Sequence, residues 1–344
     1  MRHGTFLQFI WPSLLAMVLF IALPILSVFV QSLYVEHEQV LITTENCGPF
    51  GCTKATVVDQ TATQALREEA PLGRFNGFGT YTNRAHLAFD SVAAAWQSAD
   101  GIGEFLSRLM NLPFYRALIF TMAYTAIVTP FVIVFGMMIA LGVNALPRIV
   151  RGPTIFFTLL PMIVTPLIGS LILFWMIDAR GILGETLINL TGDPTLSLKS
   201  STFLTWITLF VYGVWHSAPF AFIVFYAGLQ TVPEETLEAS IVDGASRWER
   251  VRYIVVPHMM PLVVFVTLIQ LMDNFRVLEP IIGFSAQAHA TSLSSIIYTD
   301  LFARESPLYG SAAATSMLTI LGVAVLLTPV LIRTWRDFNR RSAR

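Results

Sequence analysis

The chain has 344 residues, of which 55% are hydrophobic and only 12% charged, about half the charged share of an ordinary soluble domain. A net charge of −1 argues against a nucleic-acid partner, because phosphate binding needs a basic patch. Charged residues are absent between Arg2 and Glu36, Arg116 and Arg148, Arg151 and Asp178, Lys199 and Glu234, Arg252 and Asp273, and Glu305 and Arg333. Each block can supply the roughly 20 apolar residues a spanning helix needs. The expected fold is therefore all-α and membrane-integral, with six transmembrane helices set in a lipid bilayer.

In chain order, the first span is expected over 9–33, closing a segment 1–33. Its apolar run is far longer than a signal-peptide core and no small-x-small site follows it, so an uncleaved anchor is expected. A long insertion, 34–115, comes next. Cys47 and Cys52 lie within it, separated by Gly48, Pro49, Phe50 and Gly51, which favour a tight turn. On an outer face such a pair is expected to form a disulfide, with free thiols as the alternative. The histidines are scattered, so no metal site is expected. Residues 61–69 read as a helix or a soluble loop. Residues 91–110 space Trp96, Ile102, Phe105 and Leu109 as one helical face suited to the membrane surface.

The core domain, 116–333, holds the other five spans: 116–145, 153–177, 203–230, 262–283 and 312–332. A tail, 334–344, follows. Residues 178–200 read as an outer loop, and 280–299 as a loop able to re-enter the membrane. Orientation follows the arginines beside the spans. Arg148 and Arg151, then Arg247, Arg250 and Arg252, then Arg333, Arg336, Arg340, Arg341 and Arg344 all fall on one side if both termini are cytoplasmic. The 34–115 insertion is then external.

The cytoplasmic loop 231–261 carries the most information. It reads as two short helices with a break. Thr231 with Glu234 and Ser246 with Glu249 have capping-box spacing, Gly244 suits a helix end, and Pro257 and Pro261 are expected to stop the second helix. Ala239, Ser240, Gly244 and Ala245 are small, and Glu238, Asp243, Arg247, Glu249 and Arg250 surround them with charge. That combination suits a docking surface. It also suits a capped helical hairpin with no partner.

Glu238-Ala239-Ser240, three residues, Gly244, nine residues, then Ile254-Val255-Val256-Pro257 resembles the signature loop of permease subunits in binding-protein-dependent ABC importers. That loop runs Glu-Ala-Ala, three residues, Gly, nine residues, Ile-x-Leu-Pro, so Ser240 and Val256 are departures. Asp243-Gly244-Ala245 resembles the carbohydrate branch of the family, the maltose and glycerol-3-phosphate type. Similar stretches are Asn76 through Tyr81, Leu159-Leu160-Pro161 with Pro166 and Trp175 through Gly181, Trp215 through Pro219, Ala227 through Pro233 and Tyr309 through Ala314; the match covers most of 70–330.

The resemblance implies a bacterial inner-membrane, multi-pass subunit of an importer. It implies a second, similar permease forming a heterodimer, two nucleotide-binding ATPase subunits and a periplasmic substrate-binding protein. Glu238, Ala239, Asp243, Gly244 and Ala245 would then couple to the ATPase, and no residue would be catalytic. The lysines, Lys54 and Lys199, follow Thr53 and Leu198, so neither supplies the Gly-Lys of a P-loop. ATP and Mg are accordingly expected in partner subunits, with no cofactor in this chain.

Polar groups inside a membrane usually face a cavity. His216, Ser217 and Phe220 form one such cluster, and Thr267, Gln270, Asp273 and Asn274 another. Helical spacing puts Thr267, Gln270, Leu271 and Asn274 on one face. By resemblance His216, Ser217, Phe220, Thr267, Gln270, Leu271 and Asn274 match midplane sugar contacts; bonding between helices is the plainer reading. Arg276 reads as an ion pair with Asp273 or Glu279, or as a partner for an anionic group on a sugar. In place of the family's Gly-Gly-Pro turn stands Gly283-Phe284-Ser285. The competing function is an autonomous secondary transporter of a small solute, but Asp273 is the one clear intramembrane carboxylate. A membrane enzyme would need a metal set or a nucleophile–base pair, and the sequence offers neither.

Overall fold

A computed structural model describes residues 3–48, 51–178, 180–192, 197–199, 201–304 and 306–342. Those residues are mostly helical, with two small antiparallel strand pairs. Among the described residues, five helices are long and apolar enough to cross a membrane, or six if one sharply bent pair counts as a span. The chain divides into two compact units, 1–115 with 296–318 and 116–295 with 319–344.

In the first unit, His3–Met17, a π turn at Val18–Ala22 and Leu23–Ser32 follow one another as helix. Strands Leu41–Gly48 and Gly51–Val58 then pair with Leu41 opposite Val58 and Cys47 opposite Cys52. The side chains of Cys47 and Cys52, on which the expected bridge depends, lie outside the described residues. Helix Gln60–Glu69 starts at Asp59, whose carboxylate accepts from the Thr61 and Ala62 N–H groups at 3.0 and 3.1 Å. Of the two readings of 61–69, the helix is the one formed.

Residues 91–110 do not form one helix. Phe89–Gln97 ends where the Ser98 hydroxyl donates back to the Ala94 carbonyl at 2.7 Å, and Ile102–Leu109 starts after Gly101. The pair is pinned by an edge-to-face contact of Trp96 and Phe105, 5.1 Å between centroids, and by Arg108, which bonds the Ser98 hydroxyl at the end of the first helix.

The second unit is built on long apolar helices. Pro113–Asn144, most of which lies here, packs against Thr202–Leu229 at a point where bulk is excluded. A Cβ placed on Gly136 would fall 2.5 Å from the Ala221 Cβ. Small residues let membrane helices approach this closely, since dispersion contacts rather than the hydrophobic effect hold them together. Phe120, Phe222 and Phe225 fill the core. Arg151 closes the end of Pro113–Asn144 by donating to the Asn144 and Leu146 carbonyls at 2.8 and 3.0 Å, as a cation at a helix carboxyl end should.

Several expected elements differ. The third span is not straight: Arg148–Ile163 and Pro166–Met176 meet at 93°. Thr165 precedes a proline and takes an extended ψ of 146°, because the Pro166 ring disfavours helical geometry before it. The loop 178–200 contains a helix, Ile182–Thr191. The fifth span ends at Phe275 rather than 283, and Pro280 sits in the first turn of a separate short helix, Glu279–Gly283. The last helix, Tyr309–Ser342, runs through the expected tail, since neither glycine nor proline follows Pro329 up to Ser342.

The loop 231–261 also departs from expectation. Pro233, not Thr231, takes the N-cap position of Glu234–Val242, so the Thr231/Glu234 capping box does not form. The Thr231 hydroxyl instead donates to the Gly228 carbonyl at 2.7 Å. Nor do Pro257 and Pro261 stop the second helix. Arg247–Arg250 passes through a π turn, Val251–Val255, straight into Val256–Phe275. Both π turns end two residues before a proline, Pro24 and Pro257. A proline ring collides with the carbonyl four residues back, and the extra residue of a π turn relieves that collision.

Candidate functional site

The 93° break ends the first helix and leaves the Val164 carbonyl without an intrahelical partner, while Pro166 opens the next helix. Side chains one turn apart on Thr202–Leu229 reach the carbonyls of both residues. The Tyr212 hydroxyl donates to the Pro166 carbonyl at 2.8 Å, and His216 Nε2 lies 3.1 Å from the Val164 carbonyl. Within the second unit this corner borders a cavity of about 540 Å³, a volume in the range of small-molecule sites.

His216, Ser217, Phe220, Gln270 and Asn274 line the cavity together with Tyr124, Tyr212, Asp273, Arg276, Glu279 and Ser294. Gln270 and Asn274 are 4% and 5% exposed. Asn274 Nδ2 donates to Thr129 Oγ1 at 3.0 Å and to Gln270 Oε1 at 3.4 Å, so both amides are held before any ligand arrives. Arg276 pairs with Asp273 at 2.9 Å, and both side chains are more than half exposed.

Thr267 and Leu271 are not among the lining residues. The lining positions Ile269, Gln270, Asp273 and Asn274 define one direction on the helix. At 3.6 residues per turn Leu271 lies about 130° from it and Thr267 about 90°. The Thr267 hydroxyl turns back to the Val263 carbonyl at 2.7 Å. Tyr124 and Tyr212 were not singled out in the sequence. Their one available signal is a phenol within an apolar span, which must find a polar partner or a cavity.

The cytoplasmic loop has its own geometry. Glu234–Val242 ends in a Schellman motif: the Ala245 N–H donates to the Ser240 carbonyl at 2.9 Å, and the Gly244 N–H to the Ile241 carbonyl at 3.0 Å. Gly244 takes a φ of +78°, the left-handed region that favours glycine. Ser246 and Glu249 form the reciprocal capping box of the second helix, with bonds of 2.7 and 3.3 Å. Glu238, Ala239, Asp243 and Gly244 are exposed and Ala245 is half-buried. Ser240 is buried, its hydroxyl on the Leu237 carbonyl, and so leaves the small-residue surface. Ile241, Val242 and Trp248 are exposed beside it, adding apolar area that the pattern of small residues had not revealed.

Long apolar helices bordering a polar cavity, with a rigidly capped helical loop exposed among Arg247, Arg250 and Arg252, have the make-up of a membrane transport component. Residues 102–336 match the family described as binding-protein-dependent transport system inner membrane component, and this chain belongs to that family. The chain is 28% identical over 228 residues to the trehalose transport system permease protein SugA of Mycobacterium tuberculosis, covering 66% of this chain and 72% of that one. It is 26% identical over 233 residues to the lactose transport system permease protein LacF of Rhizobium radiobacter, covering 64% and 76%. A chain in the crystal structure of a bacterial ABC transporter involved in import of the acidic polysaccharide alginate shares the fold. Its TM-score is 0.60 at 20% identity, over 72% of this chain and 88% of that one.

Proposed function

We propose that this chain is the permease subunit that carries a carbohydrate through an ATP-driven importer. The observation that carries this reading is the 540 Å³ cavity, where amides of Gln270 and Asn274, hydroxyls of Ser217 and Tyr212 and the ring of Phe220 stand together. A sugar needs hydrogen-bonding partners for its hydroxyls and an apolar face for its ring. Relatives named for trehalose and lactose transport support the substrate class. Asp273 and Glu279 outnumber Arg276 at the cavity wall, and Asp273 already occupies that arginine, which favours a neutral sugar over an anionic one.

In this reading the chain spans the bilayer six times, the bent pair counting once. Both termini and the 231–261 loop are cytoplasmic, and the 34–115 insertion is external and bridged between Cys47 and Cys52. A second permease completes the path, a periplasmic binding protein delivers the sugar, and two ATPase subunits hold ATP and Mg. Glu238, Ala239, Asp243, Gly244 and Ala245 meet the ATPase, whose closure swings the spans between inward- and outward-open states. His216, Ser217, Phe220, Gln270 and Asn274 contact the sugar in transit.

The test is reconstitution of the chain with the permease, ATPase and binding protein encoded beside it, using radiolabelled trehalose and lactose as probes. Uptake should require ATP and the binding protein together. Uptake by the chain alone would overturn the reading in favour of a secondary transporter. Alkylation followed by intact-mass measurement, with and without reductant, reads the Cys47–Cys52 bridge.

A further inference from the structure

The first unit displays an apolar surface that the transport path does not use. Helices Phe89–Gln97 and Ile102–Leu109 repeat one spacing: Phe89, Val92, Ala93 and Trp96 in the first, Ile102, Phe105, Leu106 and Leu109 in the second. Positions i, i+3, i+4 and i+7 share a helix face. Phe89, Trp96, Ile102 and Leu106 are 57%, 64%, 81% and 46% exposed. The contact of Trp96 with Phe105 joins the two stripes. Polar bonds brace the fork: the Asp100 N–H donates to Glu104 at 2.9 Å, and Arg108 bonds both Glu104 and the Ser98 hydroxyl. A rigid fork with an uncovered apolar face is a surface made to be covered.

Chain connectivity indicates what covers it. Ile102–Leu109 ends just before Pro113, where a spanning helix begins, and the first turn of that helix lies in the same unit. The steps from Leu109 to Pro113 reach at most about 14 Å when fully extended. The fork is thus tethered at the membrane boundary. Tryptophan favours that boundary, and a helix with one apolar face lies in its plane. The charges exclude a different attraction. Asp90, Asp100 and Glu104 outnumber Arg108, so anionic headgroups would repel the fork rather than hold it.

We propose that the 89–109 fork is an interfacial foot, with Phe89, Trp96, Ile102 and Leu106 seated at the headgroup–acyl boundary of the outer leaflet, held by apolar burial and not by charge. This rests on the reading that the insertion is external.

The test uses the full chain with Cys47→Ser and Cys52→Ser, reconstituted in phosphatidylcholine vesicles. Spin labels are attached singly at Trp96→Cys, Ile102→Cys, Ala94→Cys and Ser107→Cys. Labels at 96 and 102 should meet dissolved oxygen more than an aqueous nickel chelate, those at 94 and 107 the reverse. The contrast should persist, unchanged or somewhat weakened by repulsion of the acidic residues, when a third of the lipid is phosphatidylglycerol. Labels at 96 and 102 as open to nickel as those at 94 and 107 would overturn the foot, as would shielding from both reagents, which marks a protein neighbour. A contrast that grows with phosphatidylglycerol would overturn the apolar basis. Sidedness is read separately, by a membrane-impermeant maleimide on Ser107→Cys in sealed vesicles of known orientation. Labelling from the inner face alone would sink the external placement, whatever the depth contrast shows.

Discussion

His216 Nε2 lies 3.1 Å from the carbonyl oxygen of Val164, the residue that caps the helix where the chain turns by 93°. The side chain thus stands in for a backbone partner that the break removes. His216→Ala should lower stability by about 1 kcal/mol, the usual net value of one hydrogen bond. Tyr212→Phe should cost a similar amount, and the two together less than their sum, because both support one corner. Thermal unfolding of the purified chain checks the stability effect. Uptake should fall for His216→Ala by roughly fivefold, the equivalent of one such bond.

Gly244 tests the coupling reading. A Cβ there meets no atom within 4 Å, so Gly244→Ala adds strain without a clash. The left-handed backbone costs a side chain about 1–2 kcal/mol, which the Schellman motif must absorb. The expected result is a folded, membrane-inserted chain whose uptake drops while the ATPase partner still hydrolyses ATP. Ala239→Leu, on an exposed position, should uncouple in the same way by bulk alone. Uptake at the unaltered rate in both variants would remove the docking role.

Gly136→Leu should be far more damaging to the fold than to any single site. Its side chain has to displace Ala221 on the facing helix, and overpacking typically costs about 1–3 kcal/mol. Yield of folded chain in mild detergent should drop, and Gly136→Ala should show the same defect in milder form.

His86 gives the first unit a pH dependence. The ring is 1% exposed, and burial holds it below the ordinary histidine range despite the opposing pull of the Ser311 carbonyl and Asp300. Asp300 is itself paired with Arg304. The unfolded chain therefore binds a proton near pH 6.5 that the folded chain refuses. Stability contributed by this site is present above pH 6.5 and is lost as pH falls through that value towards the folded pKa. Melting temperature should fall between pH 7.5 and pH 5.5, and His86→Gln should flatten that part of the profile.

The membrane elements were legible because a span announces itself by composition alone. A run such as 117–147 needs no knowledge of its neighbours to be read as apolar. The Ser246/Glu249 cap and the glycine end at Gly244 were legible for a related reason, since each is a local bond between residues close in sequence. Thr231 with Glu234 has the same spacing and fails, because Pro233 shifts the helix start by two residues.

Other features depend on what is distant. The hairpin of Leu41–Gly48 and Gly51–Val58 lacks alternation of apolar and polar residues, so its strands are visible only through their pairing. The break before Pro166 hides inside a charge-free block, and the carbonyls on its two sides meet Tyr212 and His216, dozens of residues away. Leu271 falls on the expected cavity side by its spacing from Thr267 and Asn274. The direction of a cavity is fixed by neighbouring helices, and a rotation of about 130° separates a wall from its back.

The continuity of the chain across Pro257 has a mechanical meaning. From Arg247 to Phe275 the backbone is one rod of 29 residues, about 43 Å end to end. If the loop docks a motor as proposed, a tilt at the Trp248 end would pass to Asn274 through unbroken helix and reach the cavity wall as leverage.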